Sequence, residues 1–91
     1  MIEKRRRMGE VKTRIEEPVK VIASFSPNKF KVHFFNWRDR TYQVQSMNLF
    51  HIARDGNKKL YHFAVTAAGN SYELVYNPVT LDWQLADVVN V

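Results

Sequence analysis

From Pro18 to the C-terminus, side chains change character at every second residue, and this two-residue period restricts the chain to strands that each bury one face. Val19, Val21, Ala23 and Phe25 alternate with Lys20, Ile22 and Ser24, and Tyr61, Phe63, Val65 and Ala67 alternate with His62, Ala64 and Thr66. Tyr72, Leu74 and Tyr76 then alternate with Ser71, Glu73 and Val75, and Leu81, Trp83 and Leu85 with Asp82, Gln84 and Ala86. Turn residues separate the runs: Ser26-Pro27-Asn28, Arg38-Asp39, Arg54-Asp55-Gly56-Asn57, Ala68-Gly69-Asn70 and Asn77-Pro78. Asp55-Gly56 is the strongest of these signals, because glycine accepts the positive φ of a tight hairpin. The expectation is an all-β antiparallel meander of about six strands, forming a strongly curved sheet or small barrel.

Before Pro18 the pattern differs. Residues 1–17 are rich in charge, and Met8, Val11 and Ile15 fall at spacings of three and four, which suggests an N-terminal arm or a short helix ended by Pro18. The expected organisation is a basic arm over residues 1–17 and a single all-β domain over 18–91. A chain of 91 residues, 45% of them hydrophobic and 13% aromatic, has the means to pack one core. So small a domain keeps much of its surface wet, which makes oligomerisation a natural source of further stability.

Two hairpin registers are open between Phe30 and Val44. A two-residue turn at Arg38-Asp39 sets Trp37 against Arg40, Phe35 against Tyr42 and His33 against Val44, and directs Phe30, Val32 and Phe34 away from that shared face. A three-residue loop, Arg38 to Arg40, sets Phe34 against Val44 and Val32 against Ser46, exchanging the faces. In either case large apolar side chains remain on a second face. Farther on, Met47, Leu49, Phe50 and Ile52 cannot share one face of a regular strand, so a bulge or helical turn near Ser46–Asn48 is expected.

The chemistry of catalysis is missing from the residue pattern. There is no cysteine, no G-x-S-x-G elbow and no glycine-rich phosphate loop. His33, His51 and His62 fall on three successive expected strands, but no carboxylate or cysteine accompanies them at the spacing of zinc ligands. The expectation is therefore no enzyme, no cofactor and no metal. The N-terminus is not patterned as a signal peptide, and no run approaches the roughly 18 apolar residues of a membrane span, so a water-soluble, cytoplasmic protein with no membrane partner is expected.

Charge is distributed unevenly. Residues 21–59 hold seven Lys and Arg against Asp39 and Asp55, whereas residues 60–91 hold Glu73, Asp82 and Asp87 with no Lys or Arg. Arg5, Arg6 and Arg7 form a compact cationic run, and Lys29, Lys31, Arg38, Arg40, Lys58 and Lys59 extend positive potential over two hairpins. Small β-domains bind single strands by joining such charge to aromatic faces on which bases stack, and Phe34, Phe35 and Trp37 are placed to supply those faces. The expected function is a binding or accessory module for single-stranded nucleic acid; the alternative is a protein-interaction or homo-oligomerisation module using the exposed apolar sheet face. A small-molecule-binding barrel would need an internal cavity.

The spacing Phe35-x-Trp37-Arg38-x-Arg40-x-Tyr42-x-Val44, followed by Tyr61-His62-Phe63-x-Val65, Tyr72-Glu73-Leu74-x-Tyr76 and Trp83-x-Leu85, resembles a family of small bacterial all-β domains of uncharacterised function. In that family a W-R-G-R-x-Y-x-V hairpin precedes a Y-E-L-Y strand; the resemblance covers about residues 18–88, with Asp39 where the family often carries glycine. Members are sometimes encoded beside or fused to error-prone DNA polymerases, so the resemblance implies a DNA-repair protein as partner.

Overall fold

Alternating runs become strands where a neighbour supplies both ladder bonds and a facing apolar row. The computed structural model describes residues 11–90. It contains seven strands: β1 Val11–Ser26, β2 Lys29–Trp37, β3 Arg40–Gln43, β4 Ser46–Asp55, β5 Lys58–Ala67, β6 Asn70–Asn77 and β7 Asp82–Asn90. All pairings are antiparallel in one sheet of order β3-β2-β1-β7-β6-β5-β4, with the last strand in the middle.

The all-β antiparallel class is as expected, but six strands in a strongly curved sheet or small barrel give way to seven in an open sheet with β3 and β4 as edges. The additional strand arises at Val44–Gln45. Val44 N donates to His33 O at 2.9 Å and Gln45 N donates to Thr66 O at 2.8 Å, so the run from Arg40 to Asp55 serves β2 with its first part and β5 with its second. No ladder joins β4 to β2, and the sheet does not close.

Over residues 11–17 the arm or short helix expected before Pro18 is replaced by strand, and the rest of that segment lies outside the described residues. Val11–Arg14 pair with Asn90–Asp87, and Glu17–Val19 pair with Leu85–Trp83. The helical spacing of Val11 and Ile15 comes from a bulge: Ile15 and Glu16 together oppose Ala86, and Glu16 takes φ 54°. Pro18 is tolerated because the β2 ladder begins only at Lys20, leaving β1 with a single neighbour at position 18.

Of the two hairpin registers, the two-residue turn is the one formed, with Phe35 against Tyr42 and Trp37 against Arg40. Phe30 and Val32 nevertheless do not turn away as that register implied. Ile22 faces Phe34 while Ala23 faces Val32, so His33 is an extra residue that resets the phase of β2 and sends Phe30 and Val32 inward. Ile22 and Phe34 remain outside, 64% and 36% exposed. The phase slip expected near Ser46–Asn48 is a bulge at Asn48, whose side chain bonds Ser46 and Thr66 at 2.9 and 2.7 Å.

The two arms of the open sheet share one core. Phe30 on β2 lies 4.7 Å, ring to ring, from Phe63 on β5, although three strands separate them in the ladder. Val32, Phe35, Phe63, Val65, Ala67, Tyr72, Leu74, Leu85 and Val88 form the buried interior. Each large side chain so enclosed contributes about 1.5–3 kcal/mol of transfer free energy. This packing places the β1–β2, β4–β5 and β6–β7 connections toward one end of the molecule and the β2–β3 and β5–β6 turns toward the other.

Candidate nucleic-acid interface

The residues expected to contact nucleic acid divide between these ends. Trp37, Arg38 and Arg40 sit at the β2–β3 end, Lys29, Lys31, Lys58 and Lys59 sit at the opposite end, and Arg5, Arg6 and Arg7 lie outside the described residues.

At the β2–β3 end, the Glu17 carboxylate engages both Trp37 and Arg38. Trp37 Nε1 donates to Glu17 Oε1 at 2.8 Å, while Arg38 Nε donates to Oε1 at 3.2 Å and its Nη2 to Oε2 at 2.8 Å. Hydrogen bonds from Arg38 first and Trp37 second hold the Glu17 carboxyl below its ordinary range, and the same contact raises that of Arg38. The guanidinium also lies over the Trp37 ring at 4.6 Å. Charge and ring face are thus both engaged within the chain. Glu17 was missed from sequence because it falls in the stretch read as an arm.

The opposite end is open. Lys20, Lys29, Lys31, Arg54, Lys58 and Lys59 make no ion pair among the described residues, whose four bridges involve Lys12, Arg14, Arg38 and His62. Beside these cations, Phe25, Leu81 and Val79 are 65%, 69% and 84% exposed. Because β1 follows β7 only as far as Val19 and then pairs with β2, the two strands part, and a cleft of about 730 Å3 opens between them. Lys20, Phe25, Tyr76, Leu81, Trp83 and Gln84 line it, with Asp82 at the base of the β6–β7 loop.

A smaller hollow, about 290 Å3, lies on the other flank of that loop and is lined by Lys58, Asn77 and Thr80 among others. The loop between them is held by Asn77: its Oδ1 accepts from Val79 N at 2.9 Å and Thr80 N at 3.3 Å, and its carbonyl accepts from Leu81 N at 2.7 Å. Lys20, Phe25, Tyr76 and Trp83 were not gathered by sequence reasoning. They come from strands distant along the chain, and only the parting of β1 from β7 brings them together.

The histidines do not converge. His33 Nε2 and Ser24 Oγ are 2.9 Å apart, whereas His51 and His62 stack at 4.8 Å on β4 and β5, with His62 Nδ1 2.7 Å from Glu73 Oε2. Farther along that outer face, burial first and the charge of Glu73 second raise the pKa of Asp87, which lies 3.8 Å from Lys12. Among the described residues, no group of three or more His, Cys, Asp or Glu is gathered to hold a metal ion. The chain matches no protein-family model, no curated protein and no solved structure.

Proposed function

We propose that this domain is a non-enzymatic module that binds single-stranded nucleic acid at the end carrying the β1–β2, β4–β5 and β6–β7 connections. The observation that supports this reading is the set of cations that make no ion pair among the described residues, Lys20, Lys29, Lys31, Arg54, Lys58 and Lys59, around exposed aromatic surface. Phosphates satisfy such charges, and every base has a face that can stack. A DNA-repair protein, the partner that the family resemblance implies, is one setting in which such a module would serve.

The test is a titration of a labelled single-stranded oligonucleotide, followed by anisotropy at several salt concentrations. If Lys29, Lys31, Lys58 and Lys59 each meet one phosphate, log K falls against log salt with a slope of roughly −3, and the Lys29→Gln, Lys31→Gln double variant loses about half of it. Arg38→Gln leaves the slope unchanged, because Glu17 already neutralises that side chain. Absence of binding at low salt removes the proposal.

A second reading, self-association, is favoured by β4. It is a ten-residue edge strand, paired among the described residues only on its β5 side, on which Leu49, Phe50 and Ile52 are 59%, 46% and 48% exposed, and such edges invite pairing with another chain. Sedimentation at micromolar concentration checks it: a dimer that Leu49→Lys dissociates supports the reading, and a strict monomer rejects it.

A further inference from the structure

We infer that the cleft between β1 and the β6–β7 loop is a base pocket, in which an unstacked nucleobase lies against Tyr76, Trp83 and Phe25 while its phosphates meet lysines at the rim. The inference rests on the single-strand reading and adds to it the place where bases go.

Trp83 has two aromatic neighbours toward the core, Phe63 at 5.4 Å and Phe30 at 6.1 Å, and one at the cleft, Tyr76 at 4.7 Å, so its ring is anchored on the inner side and partly open on the outer. Phe25 packs against Phe30 at 4.2 Å with the ring planes 69° apart, lines the cleft and is 65% exposed. A volume of about 730 Å3 falls within the roughly 300–1,000 Å3 typical of small-ligand sites and has room for a base with its sugar.

The lining also matches a nucleotide chemically. Aromatic walls suit a flat heterocycle, Asp82 and Gln84 offer hydrogen-bonding groups to its edge, and Lys20 in the wall with Lys29 and Lys31 on the neighbouring strand complements phosphate.

The lip of the cleft carries an independent sign of use. Leu81 holds φ 64°, a left-handed conformation that glycine or asparagine adopts far more readily, and it is 69% exposed. Neither the strain nor the exposure stabilises the fold, and strained residues of this kind gather at binding sites. Three hydrogen bonds to Asn77 fix the loop, so Leu81 stands ready at the mouth as an apolar wall.

The chain has two tryptophans, Trp83 in the cleft and Trp37 outside it, and this gives a direct test. In Trp37→Phe, saturating single-stranded oligonucleotide quenches the emission of Trp83. In Trp83→Phe, the emission of Trp37, covered by Arg38 and Glu17, stays unchanged. Phe25→Ala lowers affinity about tenfold with the salt slope intact, since a stacking surface and no charge is removed; far-ultraviolet circular dichroism confirms that this variant folds, and Phe25→Trp restores binding.

Saturated binding by anisotropy with Trp83 unquenched overturns the inference and leaves the single-strand reading standing; no binding at low salt removes both. An abasic strand that binds as tightly as the intact oligonucleotide also overturns it. A change in Trp83 emission that depends on protein concentration alone places a second copy in the cleft and overturns it likewise.

Discussion

Arg38 and Asp39 occupy both central positions of the β2–β3 turn with φ of 53° and 62°, where hairpins of this form favour Asn-Gly. Neither residue is at ease there. Replacing Asp39 with glycine is expected to stabilise the protein by about 0.5 kcal/mol, less than the left-handed cost for an ordinary residue because aspartate tolerates such angles, measured as a higher urea midpoint at unchanged slope. An unchanged midpoint would show that the turn stores no strain. The turn itself was readable because polar residues separate two strongly apolar runs. Its length was not, because no glycine marks it, and two registers stayed open until the backbone chose. Leu81 was hidden for a related reason: nothing in a leucine's identity announces a left-handed backbone.

Among the elements, β1 departs most from its sequence. Residues 11–17 carry too much charge to look like strand, yet β7 offers a ladder on one side, and tertiary pairing overrides the local pattern. The bulges divide in the same way. The one at Asn48 could be foreseen, because the apolar phase visibly slips, whereas the one at His33 could not, because Phe30 to Trp37 is apolar in both phases.

Two carboxylates tie β1 to its neighbours in opposite senses. The Glu17 carboxyl titrates lower in the folded chain than in the unfolded one, so its contribution is present above the ordinary carboxylate range and is lost as pH falls through its folded value. Asp87 titrates higher when folded, so its ionisation costs stability as pH rises through that range. Thermal unfolding from pH 3 to 7 is therefore expected to show Glu17→Gln falling progressively below the parent protein toward neutrality, while Asp87→Asn gains on it. Parallel curves for all three proteins would contradict both assignments.

At the scale of the whole molecule, the all-β class and the core rows were readable from the two-residue period, but the openness of the sheet was not. Strand order depends on which edges meet, and alternation within a run is silent about that. The candidate site shows the same limit. Sequence grouped Trp37, Arg38 and Arg40 with Lys29, Lys31, Lys58 and Lys59 because all are cationic or aromatic and close along the chain, yet β2 carries the two groups to opposite ends.

The position of β7 has a consequence for how the protein is made. Of the seven strands it is synthesised last, yet it joins the β1–β2–β3 unit to the β4–β5–β6 unit and contributes Leu85 and Val88 to the interior. While the ribosome is still extending the chain, β1 lacks its β7 partner and β6 has one open side. Each half emerges as a three-stranded meander, at the lower limit for independent stability, with its apolar row uncovered until β7 docks. Completion of the sheet thus waits until β7 has left the exit tunnel, and early protection falls to whatever shields bare apolar strands in the cell.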